Sequence, residues 1–262
     1  MLFRSLWLEL KHAAFLPVDF ETAFGTEDGL PAIDVSGKTM QAQLRGFVDR
    51  VDAWKEQGRN YFRVVDYKTG KKDFDYCDVF NGIGLQMLLY LFALEQEGEP
   101  VLGAQATPAG VQYFPARVPL LPSDGRLDDE EAQAQRQKEW KRRGLLLDDE
   151  DVLRAMEPVD GPKRLPVTWK KDGTFTGDLA DREQLRQLRR FVFRTVGRMV
   201  DDIASGKVEP NPYTRGTSHN ACTFCPYGAV CHKAQVEGRR YYKAMNAQRF
   251  WEELGKEVDR HG

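Results

Sequence analysis

Three groups of side chains in this 262-residue chain have types and spacings that do chemistry. The first is VVDYKTG at 64–70, an apolar strand that ends with Asp66 and Lys68 two residues apart. Side chains alternate along a strand, so Val64, Asp66 and Lys68 project to one side and Val65 and Tyr67 to the other. One strand earlier, GFVDRVD (46–52) sets Asp49 in apolar company between Val48 and Val51. A hairpin joining the two strands brings Asp49 beside Asp66. Two carboxylates close together in a partly buried site repel, and stay ionised with a cation between them. Oxygen ligands select Mg²⁺ or Mn²⁺, which bind a phosphate and a water together. A lysine beside such an ion polarises or deprotonates the water, or steadies developing negative charge. Phosphodiester hydrolysis requires that combination. An Asp-x-Lys pair alone is more often an ordinary salt-bridged strand end; the Gly-x-x-Asp strand just before it shifts the balance.

The second group is Gln86 and Tyr90, at i and i+4 on one face of an otherwise apolar helix. They reach toward the metal site or a nucleic-acid backbone, or are half-buried polar groups satisfied locally. The third is Cys222-x2-Cys225-x5-Cys231. Three clustered thiols without a secretion signal point to metal or cluster binding rather than disulfides. Zinc accepts a Cys₃His set, with His219 or His232 as local candidates. A [4Fe–4S] cluster takes a fourth thiolate from elsewhere. The spacing does not decide between them.

The elements that position these groups follow from periodicity. Residues 1–14 read as the tail of a helix and 17–24 as a strand. Residues 38–54 read as one long strand bent at Gly46, pairing as a hairpin with YFRVVDYKT. A helix over 80–98, closed by Gly98, and a strand over 101–118 complete a compact mixed sheet. The charged stretch 120–165 reads as a mostly helical surface insertion, and 165–177 as a hairpin. Residues 181–204 carry one apolar stripe of Leu185, Leu188, Val192, Val196, Met199 and Ile203. A Pro-rich loop, the cysteine segment and an amphipathic helix over 241–257 end the chain. Fold class is thus α/β (α+β), with one domain over 1–262: core about 15–118, insertion about 120–165, C-terminal part about 166–262.

A net charge of −2 and 41% apolar residues are ordinary for a globular chain. No apolar run approaches a membrane span, and no secretory leader is visible. Basic residues are spread over Arg186, Arg190, Arg194 and Arg198, Lys71 and Lys72, and QKEWKRR at 137–143. Each reads as a solvated face or a non-specific track for a DNA backbone.

GFVDRVD, VVDYKTG and QMLLY together resemble the RecB-like branch of the PD-(D/E)XK nucleases, and most nearly the C-terminal nuclease domain of AddB-type components of bacterial helicase–nucleases. The resemblance covers nearly the whole chain. It implies a restriction-endonuclease-like core, and a Mg²⁺-dependent (or Mn²⁺-dependent) exonuclease acting on single-stranded DNA through backbone contacts. Double-strand break repair, an AddA-like helicase partner and the bacterial cytoplasm come with it. It implies Asp49 and Asp66 as metal ligands, Lys68 as the catalytic lysine, and Gln86 and Tyr90 on the helix bordering the site. Residues 203–232 resemble the family's iron–sulfur end, which implies that Cys222, Cys225 and Cys231 hold a [4Fe–4S] cluster. The family's upstream cysteine and histidine have no clear counterparts. Cys77 follows the Asp-Tyr-Lys strand and reads as a free thiol, and His12 reads as a surface helix residue. Together with Met1 opening straight onto a helix, this suggests a fragment of a longer protein. A DNA-guiding scaffold with an idle metal site and a free-standing RecB-like exonuclease are the rival readings; the intact Asp49, Asp66 and Lys68 favour an enzyme. No Walker motif is present, so ATP hydrolysis lies outside this chain.

Overall fold

Alternating apolar residues make the strands of this chain, and glycines and prolines set where they stop. The computed structural model describes residues 2–56, 58–116, 121, 125–126, 128–158, 161, 163–217, 219–231 and 238–260. The chain runs α1 (Leu2–His12), β1 (Leu16–Phe24), β2 (Ile33–Ser36), β3 (Gln41–Leu44), β4 (Gly46–Glu56) and β5 (Arg59–Lys68). It continues α2 (Tyr76–Phe80), α3 (Gln86–Glu97), α4 (Glu99–Leu102), β6 (Thr107–Pro115), α5 (Asp129–Glu139), β7 (Arg143–Leu147) and α6 (Glu150–Met156). Then come β8 (Val167–Trp169), β9 (Phe175–Gly177), β10 (Leu179–Ala180), α7 (Arg182–Ala204), β11 (Tyr213–Thr214), β12 (Arg240–Tyr241) and α8 (Ala247–Asp259).

Six strands form one mixed sheet in the order β1-β4-β5-β6-β7-β10. The pairs β1/β4, β4/β5 and β6/β7 are antiparallel, and β5/β6 and β7/β10 parallel. A parallel neighbour requires a crossover; between β5 and β6 it includes α3, which packs back on both strands. Its Met87, Leu88, Leu91, Phe92 and Leu94 are all buried, which is why α3 is apolar nearly all round rather than striped.

The structure redraws several expected boundaries. The single strand over 38–54 is two, because β3 pairs with β2 in a ladder of its own whereas β4 pairs with β1 and β5. The helix over 80–98 is interrupted by Gly82 and Gly84 at φ 79° and 70°, a left-handed conformation that glycine adopts freely. The strand expected from residue 101 starts at Thr107, after a helical turn with Pro100 near its start. The stretch 120–165 does hold α5, but its second half is core rather than a surface excursion. There β7 is an interior strand of the sheet, with Leu145, Leu146 and Leu147 at most 1% exposed, and α6 buries Val152, Leu153 and Met156. An interior strand needs only a short apolar run, and RGLLL is easily lost among charged neighbours. The hairpin over 165–177 is β8–β9. On α7, Leu185, Leu188, Val192 and Val196 are buried as expected, but Met199 and Ile203 are exposed. No helix among the described residues is long and apolar enough to cross a membrane.

The backbone divides into two compact units: Met1–Asp34, Gln43–Phe74 and Gln86–Arg189 in the first, and Val35–Ala42, Asp75–Leu85 and Arg190–Gly262 in the second. The first unit holds the six-stranded sheet and buries charge on it. Arg50 and Arg63 both grip Asp52, at 2.8 Å each, and Glu9 of α1, at 3.2 and 2.8 Å. Arg142 reaches the other Glu9 oxygen at 2.6 Å. Burial alone would raise the Glu9 carboxyl; Arg142, Arg63 and Arg50 outweigh it and hold it at about 2. In the second unit, Tyr76 and Phe80 of α2 pack on Phe250 of α8, and Phe80 stacks on Phe191.

Candidate active site

The site begins where one ladder ends. β4 stays paired with β1 as far as Gly46–Phe24, and β5 with β6 as far as Lys68–Pro115. The ladder between β4 and β5 stops earlier, at Arg50–Val65. Beyond it the two strands follow different partners, and Asp49 and Asp66 stand at the mouth of this fork. A backbone N–H freed there needs a new acceptor. Asp49 provides it: its Oδ2 accepts the Tyr67 backbone N–H at 2.7 Å.

Lys68 shares a face of β5 with Asp66, and its Nζ donates to Oδ1 at 2.9 Å while lying 2.7 Å from Oδ2. The Asp66 side chain is 12% exposed and that of Lys68 37%. The carboxylate is therefore sunk and the ammonium reaches solvent. Burial pushes the Asp66 carboxyl up; Lys68 opposes this, and the like charge of Asp49 adds to it. On β6, Tyr113 pairs with Asp66, and burial together with that charge pushes its phenol up to about 12. The other side of the same strand is used as well: the Tyr67 hydroxyl accepts from Arg50 Nη1 at 2.8 Å.

An oxygen-only pair of this kind fits a small hard cation. Among the described residues no three His, Cys, Asp or Glu side chains converge as a metal site. A Mg²⁺ or Mn²⁺ ion here would take its two protein carboxylates from Asp49 and Asp66 and fill its shell with water and phosphate oxygens, as Mg²⁺ commonly does. His12, at the end of α1, is exposed.

Gln86 and Tyr90 meet each other: Nε2 of Gln86 donates to the Tyr90 hydroxyl at 3.2 Å. Gln86 is exposed at the first residue of α3, whereas Tyr90 is buried and its ring stacks on Phe24. A Cβ on Gly46 would collide with the Tyr90 hydroxyl and stand 2.9 Å from its Cζ. The glycine of the Gly-x-x-Asp strand and the tyrosine of the helix thus require one another. The link runs to the start of the strand that carries Asp49, not to the carboxylates.

The cysteines behave differently. Cys222, Cys225 and Cys231 lie in successive turns, Cys225 and Cys231 exposed, and do not gather into a ligand set among the described residues. His219 is turned away from that role: its Nε2 lies 3.2 Å from Asp78 Oδ1 and 2.8 Å from Arg215 Nη2. Arg215 in turn clamps both oxygens of Asp75, at 3.0 and 2.8 Å. His232 lies outside the described residues. Cys77 is a buried free thiol, 3.2 Å from the Lys243 carbonyl, and burial pushes it up.

Of the arginines flanking the α7 stripe, Arg186 pairs with Glu183, Arg194 donates to the Glu257 carbonyl and Arg198 to the Thr195 hydroxyl. The basic residues that do meet the site are others. Lys71, Lys72, Lys141 and Arg143 line a cleft with Lys68 and Tyr113. Lys71 and Lys72 are in sequence only neighbours of the Asp-Tyr-Lys strand, and QKEWKRR lies 65 residues downstream. Nothing in the sequence signals that they meet; the register of β7 on β6 joins them.

Residues 1–232 match the family described as the PD-(D/E)XK nuclease superfamily. Among curated relatives, the chain is 37% identical to a protein of Moorella thermoacetica named as a component of an ATP-dependent helicase/deoxyribonuclease, over 92% of this chain and 22% of that protein. Proteins named alike from Symbiobacterium thermophilum and Thermoanaerobacter sp. are 37% and 31% identical, over 93% and 100% of this chain. The chain spans between a fifth and a quarter of the length of these relatives.

Proposed function

The chain belongs to the PD-(D/E)XK nuclease superfamily, and on that premise we propose that it is the metal-dependent deoxyribonuclease domain of a helicase–nuclease complex. Its substrate is a DNA strand, gripped by its backbone and cut as an exonuclease cuts, during double-strand break repair. An AddA-like helicase is the partner of the whole protein.

The observation that carries this reading is the meeting of Asp49, Asp66 and Lys68 at the fork between β4 and β5. Asp49 and Asp66 would hold Mg²⁺ or Mn²⁺. The bound ion supplies positive charge to the phosphate and makes its water a better nucleophile. The chain's own groups do the rest. The Tyr67 N–H fixes the Asp49 carboxylate, so one ligand is held before any ion arrives. Lys68 is half in solvent, where its ammonium can stand beside the scissile phosphate and steady the charge that develops there. Gln86 and Tyr90 brace the start of β4 through Gly46. No step is assigned to Cys222, Cys225 and Cys231. The reading of them as iron–sulfur ligands rests on their likeness to the family's C-terminal segment.

The test is Mg²⁺- or Mn²⁺-dependent cleavage of end-labelled single-stranded DNA by the chain, beside Asp66→Ala. Cleavage that needs the ion and vanishes in the variant is expected. Cleavage that survives in the variant would move the chemistry to other residues.

A further inference from the structure

The parallel strands β5 and β6 end at the same edge of the sheet, and β7, antiparallel to β6, begins there with Arg143 beside Tyr113. In open sheets, ligands bind in the crevice outside the carboxyl ends of parallel strands. What this chain places there is positive charge. Lys68, Lys71, Lys72, Lys141 and Arg143 line one cleft, with Glu139 the sole carboxylate among its lining residues. The whole chain is slightly acidic, so this excess is local. Like charges packed together repel, and the local acids relieve little of it. Arg143 has a partner in Asp73, at 3.2 Å, and Lys68 has one in Asp66. Among the described residues Lys71, Lys72 and Lys141 form no close ion pair, and Lys72 acts on Asp66 only at longer range. The Lys72 ammonium lies over the Tyr113 ring, 6.0 Å from its centroid, which holds it at the cleft wall. Lys68 belongs both to this cleft and to the pair with Asp66, so the cleft opens directly from the candidate active site.

We propose that this cleft is a phosphate subsite. It binds the sugar–phosphate backbone of the DNA strand next to the phosphate being cut, with Lys72 and Lys141 as its principal contacts and Lys71 and Arg143 at its rim. The inference rests on the nuclease reading for the identity of the strand. It names residues outside the Asp49, Asp66 and Lys68 set, and it assigns direction: the strand leaves the site along the ends of β5 and β6. The contacts are to charge, not to bases, so the subsite reads no sequence.

The experiment separates binding from cleavage. Anisotropy of a fluorescent single-stranded oligonucleotide is titrated with the full chain in EDTA, over a series of salt concentrations. Lys72→Gln/Lys141→Gln is compared with Lys170→Gln/Lys171→Gln, which removes the same charge from the exposed β8–β9 turn. Removing two backbone contacts should lower the dependence of log K on log salt by about 1.4 for a single strand. Affinity at low salt should fall on the order of ten-fold or more, with the control near wild type. Equal loss in both pairs would reduce the cleft to general surface charge. Unchanged affinity and slope in the cleft pair, with the circular dichroism of the native chain, would overturn the proposal. Because EDTA removes divalent ions, the result stands whether or not the chain cleaves DNA. A peptide nucleic acid of the same sequence, which has no phosphates, should bind weakly; equal binding would also overturn it.

Discussion

Asp66 and Lys68 on one side of β5, and Arg63 and Tyr67 on the other, belong to two charged clusters that are built differently. On the Arg63 side every ion touches at least one of opposite sign. Arg50, Arg63 and Arg142 surround Glu9 and Asp52, and the guanidiniums are at most 2% exposed. On the Asp66 side one buried carboxylate has a half-exposed lysine and a second carboxylate for company. The first arrangement is closed: each charge has its partners, and adding an ion would disturb it. The second is open, with Asp66 held in an environment that resists its charge. A strand can therefore carry a closed and an open charge cluster a few residues apart, and what separates them is how fully each is enclosed by partners and shut off from solvent.

Substitutions can break that comparison. Asp66→Ala should cost cleavage on the order of 10³-fold while moving the melting temperature by only a few degrees. Kinetics and thermal melts on one preparation read both; a large loss of stability would mean that this cluster too is structural. Glu9→Gln should do the reverse. It leaves three buried guanidiniums facing Asp52 alone, a loss of about 3–5 kcal/mol, and a melting temperature lower by on the order of 10 °C. Cleavage at low temperature should stay near wild type.

The same network makes a pH prediction. Glu9 is lower in the folded chain, at about 2, than its ordinary 4.5. Its contribution, about 3 kcal/mol, is therefore complete above pH 4.5 and is lost as pH falls toward 2. Urea unfolding across that window should show a decline that Glu9→Gln lacks. Smaller effects test the supports. Gly46→Ala should destabilise by about 1–3 kcal/mol through its clash with Tyr90. A double-mutant cycle with Tyr90→Phe should recover part of the loss, since the hydroxyl is the first atom met. Tyr67→Phe, which removes the acceptor for Arg50, should cost about 1 kcal/mol by chemical unfolding. A drop in cleavage beyond that expected from stability would show that the closed side of β5 also positions the open one.

Much of the site is legible without coordinates. Asp66 and Lys68 are two apart on a strand, so alternation alone puts them on one face, and the hairpin between EQGRN-linked strands puts Asp49 alongside. The closed cluster is not legible in the same way, although Arg50, Asp52 and Arg63 stand in plain view within apolar strands. Charge at alternate positions of a buried strand is a signal, but its partners, Glu9 and Arg142, lie 41 residues before Arg50 and 79 after Arg63. The interior strand β7 hides because five residues give too short a run to outweigh charged flanks.

Local pattern thus determined the elements that repeat over many residues, the shared face of Asp66 and Lys68, and the membership of a nuclease family. The tertiary structure alone decided where the β4–β5 ladder ends, that Tyr90 stands against Gly46, and that Lys72 and Lys141 share a cleft. It also put Cys222 and Cys225 at the two ends of one turn and Cys231 at the end of the next. The physical reason is the range of the constraint. Alternation and helical period act between neighbours in the chain, whereas register, fork and cleft depend on which distant strands compete for the same hydrogen bonds.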